Sequence, residues 1–397
     1  MSIAISCEFL PELDPGFVPA VLWNRAYRAK VVADPARRPL EMALCRDDGT
    51  VFRLSDTLLS RGGGNDVLTL KYVERLCKFL LWQKGGNRLL VAGAPEVAAA
   101  LGAIYAAGGA RKFDWDFIGR QIFGEALTVV AVQCGELPAA KECALALGRN
   151  LNGCRIGFDL GGSDRKCAAV IDGNVVFSEE VEWDPCFQSD PAYHIEGIHD
   201  SLCRAAAHLP RVDAIGGSAA GVYINNEVCA ASLFRGVSPE KFETSIRRVV
   251  ASLKQRWHNV PFEVANDGEV TALAGSMGLS ANQVLGVALG TSQAAGYVDV
   301  NGHITPWLNE LAFAPVDFRD DAPLDEWSGD RGCGAVYFSQ QAVARLAPLA
   351  GFAFGEMPLP EQLAKVQLAQ QAEDPRAAAI YETIGCYLGY AIAHYAD

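Results

Sequence analysis

The apolar segment Ile156–Leu160 carries one carboxylate, Asp159, and runs directly into Gly161-Gly162-Ser163. An apolar run of this length predicts a buried strand, and the paired glycines predict a tight turn after it. Backbone amides in such a turn can close around a phosphate, because glycine has no Cβ to block the approach and accepts positive φ. A carboxylate here could hold a divalent cation bound to that phosphate, and Lys166 could add a positive charge. A purely structural turn is the alternative interpretation of the two glycines.

A second turn of the same kind follows Val284–Leu289 and consists of Gly290-Thr291-Ser292. Between the two turns, Val264-Ala265-Asn266-Asp267-Gly268 predicts a strand that ends in an Asn-Asp pair. Phosphoryl transfer needs held phosphates, a divalent cation and a group that deprotonates or orients the accepting hydroxyl. Two phosphate-binding turns around one acidic pair therefore indicate an enzyme that handles a nucleoside triphosphate, with Asp267 as general base. The alternative is a helix N-cap before the predicted helix Gly268–Met277.

The first 150 residues predict a separate α/β domain. Leu40–Leu44 and Val51–Leu54 flank Asp47-Asp48-Gly49, which is typical of a β-hairpin. Helical periodicity over Tyr72–Lys84 ends at a glycine pair, and Arg88–Ala92 predicts another strand. These elements alternate as in α/β domains but contain no catalytic constellation. We therefore expect residues 1–150 to form an accessory domain that covers an active cleft or mediates oligomerisation.

From residue 155 the pattern predicts two similar halves, each opened by one of the glycine-rich turns. The first half has a three-stranded meander ending in Val175–Trp183, followed by alternating helices and strands that include a helix near Pro239–Trp257. The second turn opens another meander, with a hairpin at Asn301-Gly302. Helices are predicted beyond it, at Ser339–Leu346, Pro360–Gln371 and Ala377–Ala396.

Composition excludes several classes of function. The formal net charge of −13 argues against nucleic-acid binding, since phosphate backbones demand a basic face. No run approaches the roughly 18 uncharged apolar residues of a membrane span, and the first residues lack a secretory signal. The 12 cysteines include no Cys-x-x-Cys pair, which favours reduced buried thiols over disulfides or a zinc cage. We expect a cytoplasmic protein.

Four motifs together resemble those of the ROK (repressor, open reading frame, kinase) sugar kinases. They are Asp159–Ser163, the loop Gly216-Gly217-Ser218-Ala219-Ala220-Gly221, Ala265-Asn266-Asp267 and Leu289-Gly290-Thr291-Ser292, within a resemblance that covers about residues 155–396. The family belongs to the actin-like, hexokinase-type ATPases. The resemblance therefore implies a two-lobed α/β fold of the ribonuclease H-like kind, with residues 1–150 as an extra N-terminal α/β domain.

The same resemblance assigns roles to single residues. Asp267 would be the base that activates a sugar hydroxyl, Asn266 a sugar ligand, and Asp159 the residue that holds Mg²⁺ through water. The turns Gly161-Gly162-Ser163 and Gly290-Thr291-Ser292 would cradle the ATP phosphates. Gly217 and its neighbour Ser218 would line the sugar pocket.

The chain also departs from the family pattern. The family's Glu-x-Gly-His element corresponds to Glu310-Leu311-Ala312-Phe313, so the sugar-binding Glu is retained as Glu310 but Phe313 replaces the zinc-binding His. Downstream, only Cys333 of the zinc cysteines is retained, and Ala335 stands where a second sugar-binding Glu is expected. Tetrahedral zinc needs four ligands, so we predict no structural zinc. Losing a pocket Glu removes one acceptor for sugar hydroxyls, which argues against glucose itself.

The resemblance extends to the predicted helix around Gly385–Ala393, which a strand and a glycine-rich adenosine loop follow in the family. This chain ends at Asp397, so we expect residues 284–397, the second lobe, to stop before the adenosine motif. Residues 155–277 would form the first lobe.

These expectations together predict a kinase that uses ATP and Mg²⁺, without zinc, to phosphorylate a hexose, amino sugar or cyclitol. Its partner would be a small sugar-like molecule, with no nucleic acid or membrane and with a homodimer left open. Two alternatives are a non-catalytic, sugar-sensing ROK-like regulator and an ATPase activator of the same superfold. Such activators carry cysteine ligands for an iron–sulfur cluster, a pattern that the scattered cysteines do not reproduce.

Overall fold

A computed structural model describes residues 3–396, and contacts between Cα atoms divide the chain into two compact units. The first unit combines the chain up to Cys143 with Ala288–Ala294 and with the chain from Pro306 onward. The second unit comprises Ala144–Val287 and Ala295–Thr305. This division differs from the predicted one, because much of the predicted N-terminal domain and of the predicted second lobe share one unit. The predicted end of the second lobe, at Asp397, lies outside the described residues.

The N-terminal part of the first unit contains α1 (Ala20–Val32), β1 (Arg38–Cys45), β2 (Val51–Leu58), α2 (Asn65–Lys84), β3 (Arg88–Ala92), α3 (Pro95–Ile104), α4 (Lys112–Asp114), the π-helical turn Trp115–Ile122 and β4 (Thr128–Val132). Its sheet has the order β2-β1-β3-β4, in which β1 is antiparallel to β2 and β3, and β3 is parallel to β4. The predicted hairpin is confirmed. Helix α2 ends where predicted, because Gly85 takes a φ of 74° that other residues rarely adopt.

A buried ion network joins sequence-distant parts of the first unit. Lys78 on α2 is 0% exposed, lies 3.0 Å from Asp114 and also pairs with Asp330. The indole of Trp82 donates to the same Asp114 carboxylate at 2.9 Å. Buried charges are tolerated only when they are paired and hydrogen-bonded. The N-terminal segment and the chain beyond residue 306 therefore share one interior.

The second unit contains β5 (Cys154–Leu160), β6 (Asp164–Ile171), β7 (Asn174–Glu182), α5 (Pro191–Ala206), β8 (Ala214–Ala219), β9 (Val222–Ile224), β10 (Glu227–Ala230), the 3-10 turn Ser232–Phe234, α6 (Pro239–Lys241), the π-helical turn Phe242–Ile246, α7 (Val249–Arg256), β11 (Phe262–Asn266) and α8 (Asp267–Leu279). Its main sheet has the order β11-β8-β5-β6-β7. Strands β5, β6 and β7 form the predicted antiparallel meander, and β8 and β11 extend the sheet in parallel to β5. This is the ribonuclease H-like arrangement, so the expected fold class is confirmed.

One face of this sheet carries the core of the second unit. Buried side chains from β5 and β11, among them Phe158 and Phe262, pack with Leu202 of α5 and Leu253 of α7. The residues of β5 that alternate with these buried ones point to the opposite face of the sheet, as strand geometry requires. The core therefore fixes which side chains of β5 and β8 remain available on the other face.

One local prediction in this unit needs correction, and one hairpin was missed. The helix predicted near Pro239–Trp257 is interrupted after α6, because the amide of Arg247 donates to the carbonyl of Phe242 at 2.9 Å in a π-type bond. The hairpin of β9 and β10 was not predicted. Its turn residues Asn225 and Asn226 have φ of 52° and 63°, which asparagine tolerates in hairpin turns.

The second predicted meander is shorter than expected. Strands β12 (Val284–Leu289) and β13 (Gln293–Val298) form a two-stranded sheet. After the predicted hairpin at Asn301-Gly302, Ile304 forms an isolated bridge to Val298 and the amide of Thr305 donates to the carbonyl of Tyr297 at 3.3 Å, but the described residues form no third strand there. Pro306 follows two residues after Ile304 and cannot donate to a strand ladder, which explains why no third strand develops.

The C-terminal part of the first unit is helical, as predicted. It contains the 3-10 turn Leu311–Phe313, α9 (Ala335–Phe338), α10 (Gln340–Leu346), α11 (Leu359–Gln371) and α12 (Pro375–Tyr395). Side chains of Ser339 and Asp374 cap α10 and α12 by accepting from backbone amides. Across residues 3–396, no helix combines the length and apolar character that a membrane crossing needs.

Candidate active site

The first glycine-rich turn joins β5 to β6 in the second unit. The amide of Gly161 donates to the carbonyl of Asp164 at 2.9 Å and closes the turn. Within residues 3–396 the amides of Gly162 and Ser163 have no hydrogen-bond partner, and a Cβ at Gly162 would meet no atom within 4 Å. Unpaired N–H groups in an open turn are the donors that an anion site needs. This local geometry is compatible with the predicted phosphate-binding turn.

Asp159 lies one residue before the end of β5, on the sheet face opposite the core. Its register partners are Lys166 on β6 and Ser218 on β8, so all three residues share that face. The carboxylate is half-buried. The ammonium of Lys166 pairs with Asp164 rather than with Asp159. Asp159 lies two residues before Gly161, the first residue of the turn, and its predicted role in holding Mg²⁺ stays a prediction.

Asp267 is the first residue of α8 and follows β11 directly. Because β11, β8 and β5 are parallel, Asp267 lies at the same edge of the sheet as the first glycine-rich turn. Burial raises the pKa of Asp267, and the charge of Asp159 raises it further, while the amide of Gly268 donates to Oδ1 at 3.0 Å and opposes the shift. A carboxylate with a raised pKa in this place is suited to accept a proton.

Asn266 caps helix α8. Its Oδ1 accepts from the amide of Gly268 at 2.7 Å, and its Nδ2 donates to the carbonyl of Gly221 at 2.7 Å. The N-cap interpretation of the Asn-Asp pair therefore holds for Asn266, which also ties the glycine loop to the helix start. Its amide keeps one N–H and one lone pair for a ligand. The sugar contact of Asn266 stays a prediction.

The glycine loop places its two predicted pocket residues on opposite faces of β8. A Cβ at Gly217 would lie 2.2 Å from Cζ of Phe158, so this glycine is required by the core. Ser218 lies on the other face, beside Asp159. Core packing therefore explains the small residue at 217 without a sugar. The side chain available to a ligand from this strand is Ser218.

Two further residues near Asp267 escaped the sequence analysis. The carboxylate of Glu269 accepts from the amide of Asn266 at 3.2 Å, and burial raises its pKa to about 7. The spacing Asn-x-x-Glu is the signal of such a capping box. The Tyr223 hydroxyl on β9 is buried without a hydrogen-bond partner within residues 3–396, and its pKa is raised by burial and by the charge of Asp267. No sequence signal distinguishes this tyrosine.

The second glycine-rich turn belongs to the first unit. The amide of Gly290 donates to the carbonyl of Ser292 at 2.9 Å, and the carbonyl of Gly290 accepts from the amide of Gln340 at 2.9 Å. The turn is thereby fixed to the start of α10. Within the described chain, the amides of Thr291 and Ser292 have no hydrogen-bond partner, and both residues are exposed. The predicted role of this turn in phosphate binding stays a prediction.

Glu310 and the replaced zinc element also lie in the first unit. The amide of Glu310 donates to the carbonyl of Trp82 at 3.0 Å, which fixes the backbone before the turn Leu311–Phe313. The ring of Phe313 packs against that of Trp82, with centroids 4.3 Å apart. Aromatic packing thus surrounds Phe313, the residue predicted to replace a zinc-binding His. The sugar contact of Glu310 and the lack of structural zinc stay predictions.

Comparison with known proteins yields matches among solved structures alone. No family model matches the chain, and no curated protein matches it. Matching structures include a ROK-family transcriptional regulator described as a homologue of the E. coli MLC protein, 20% identical with a TM-score of 0.49 over 62% of each chain. The chain thus spans less than two thirds of that regulator.

Two matching kinases show similar values. The ROK hexokinase from Thermus thermophilus is 15% identical, with a TM-score of 0.44 over 59% of this chain and 75% of that one. A glucokinase from Parabacteroides distasonis is 18% identical, with a TM-score of 0.46 over 62% of this chain and 70% of that one. The resemblance to ROK-type sugar kinases is confirmed. Similarities at these identities concern the fold alone and say nothing of the activity of this chain.

Proposed function

We propose that this protein transfers a phosphoryl group from ATP to a hydroxyl of a sugar-like small molecule, with Asp267 as general base. The observation that carries the proposal is the edge of the five-stranded sheet. At this edge, Asp267, whose pKa is raised, follows β11, and the open turn Gly161–Ser163 follows β5. The two strands run in the same direction. The same edge carries the half-buried Asp159. These are the parts that phosphoryl transfer to an alcohol requires.

The residues present fit a bound Mg²⁺–ATP complex. Asp159 and Asp267 are close enough for the charge of one to raise the pKa of the other, so a cation held by Asp159 would relieve their repulsion. The amides of Gly162 and Ser163 would donate to phosphate oxygens. When bound, ATP supplies the transferable phosphoryl group and Mg²⁺ offsets its negative charge.

The protein's own groups would then move a single proton. The Gly268 amide holds Oδ1 of Asp267 at 3.0 Å, which leaves Oδ2 to accept the proton of the substrate hydroxyl. As that proton passes to Asp267, the hydroxyl oxygen forms a bond to the γ-phosphorus and ADP departs. Asp267 later returns the proton to solvent. Asn266 keeps the carboxylate in place through the cap of α8.

The decisive variant is Asp267→Asn, which keeps the side-chain shape and an oxygen for the Gly268 amide but cannot accept the proton. A panel of hexoses, amino sugars and cyclitols is incubated with ATP and Mg²⁺, and phosphorylated product is identified by mass spectrometry. We expect kcat to fall by about 100- to 10,000-fold, the range for loss of a general base. Asp184→Asn, at an exposed aspartate of the same unit, serves as the matched control.

Two outcomes would count against the proposal. Equal turnover by wild type and Asp267→Asn would remove Asp267 as the base. No product from any acceptor with the wild-type chain would remove the kinase. If calorimetry then still detected sugar binding, the result would favour the sugar-sensing regulator.

A further inference from the structure

The carboxylate of Asp164 contacts two side chains at the first glycine-rich turn that could otherwise bind a phosphate. Its Oδ2 accepts from the hydroxyl of Ser163 at 2.9 Å, and its Oδ1 pairs with the ammonium of Lys166. A Cβ at Gly161 would lie 3.4 Å from the same Oδ1, so the carboxylate lies over the turn itself. The Ser163 hydroxyl and the Lys166 ammonium, two donors that a phosphate at this turn could use, are therefore in contact with an internal anion.

The fold does not require this carboxylate to be charged. The pair is partly exposed, with 46% of the Lys166 side chain and 21% of the Asp164 side chain accessible, and such pairs add little stability. The backbone of Asp164, not its side chain, closes the turn by accepting from Gly161. Hydrogen bonds from Lys166 and Ser163 lower the pKa of Asp164, so it is an anion near neutral pH. An anion here repels a phosphate at the turn.

We propose that Asp164 makes this turn selective for the divalent-cation complex of a nucleotide over the free nucleotide. In the absence of a cation, Asp164 neutralises Lys166, holds the Ser163 hydroxyl and repels the phosphates. In its presence, the added positive charge offsets the Asp164 carboxylate, and the unpaired amides of the turn are sufficient donors. The inference rests on the proposed function for the identity of the nucleotide.

The test measures binding rather than turnover. Wild type and Asp164→Asn are titrated by calorimetry with a non-hydrolysable ATP analogue, once with EDTA and once with saturating Mg²⁺. Asparagine keeps the shape and an acceptor oxygen but removes the charge. We expect the variant to bind the metal-free analogue on the order of tenfold more tightly than wild type, because one close like charge is lost. Affinity for the Mg²⁺ complex should change less than about threefold.

Glu240→Gln is the matched control, because it removes one exposed carboxylate of the same unit outside the turn. It should leave both affinities at their wild-type values. Unchanged metal-free affinity in Asp164→Asn would overturn the inference while the kinase proposal stands. Loss of affinity for the Mg²⁺ complex alone would also overturn it, since Asp164 would then be a cation ligand. If wild type and variant bind neither form, the inference and the proposed function both fail.

Discussion

Gly217→Ala should destabilise the second unit by about 2 kcal/mol. An added Cβ would lie 2.2 Å from Cζ of Phe158 and within 2.7 Å of two more ring carbons, whereas carbon atoms pack at about 3.5–4.0 Å. Phe158 is 6% exposed and packs against Phe262, so its ring has little room to withdraw. Overpacking of this kind costs about 1–3 kcal/mol, and the entropy gained by replacing glycine offsets less than 1 kcal/mol of it.

Urea unfolding measures the free energy of unfolding. Hydrogen exchange of peptides that cover β8 and β11 measures the local stability of these strands. Phe158→Leu provides the control, because leucine lacks the ring atoms nearest Gly217 but leaves a small cavity. In the double variant the two changes should compensate, with a coupling of about 1 kcal/mol or more. An unchanged or increased free energy of unfolding for Gly217→Ala would refute the packing argument. A role in the predicted sugar pocket would then be the better explanation for glycine at position 217.

Two further predictions concern ionisation next to the proposed base. Asp159→Asn should lower the pKa of Asp267, because it removes a negative charge that opposes ionisation; a ¹³C NMR titration of the Asp267 carboxyl in metal-free buffer measures this, and an unchanged or higher value contradicts it. Glu269 has a raised folded-state pKa of about 7, so its contribution to stability is present below the ordinary value of 4.5 and is lost as pH rises toward 7. Glu269→Gln should therefore reduce the difference between the free energies of unfolding measured with urea at about pH 5 and pH 8. An unaltered difference would count against the raised pKa of Glu269.

Much of the second unit followed from the sequence because its signals are local. The apolar strand before Gly161 and the three-stranded meander that ends in Val175–Trp183 were predicted correctly, and Asn266-Asp267 follows a strand as predicted. The parallel pairing of β11, β8 and β5 was not predicted, and it is this pairing that places the two carboxylates at one edge of the sheet.

Other features depended on long-range packing that a pattern does not contain. The pairing of Lys78 with Asp330 joins segments that are more than 250 residues apart, and no local signal predicts it. The same holds for Gly217, whose motif suggested a ligand while its neighbour Phe158 supplies the reason for its size. The role proposed for Asp164 has a different origin: it depends on side-chain conformations within the turn, because only the contacts with Ser163 and Lys166 distinguish this residue from a surface aspartate.

The N-cap interpretation of the Asn-Asp pair applies to Asn266, whereas the role of general base is proposed for Asp267. The side chain of Asn266 caps α8, so Asp267 is not needed as the cap. Oδ2 of Asp267 is therefore available to accept a proton in the proposed reaction. A carboxylate in the first helical turn is ordinarily stabilised as an anion by the helix dipole, which lowers its pKa. Burial and the charge of Asp159 nevertheless raise the pKa of Asp267, against the opposing effect of the Gly268 hydrogen bond. A carboxylate that only started a helix would gain nothing from a burial that raises its pKa. A carboxylate that accepts a proton would become the stronger base, which is the role proposed for Asp267.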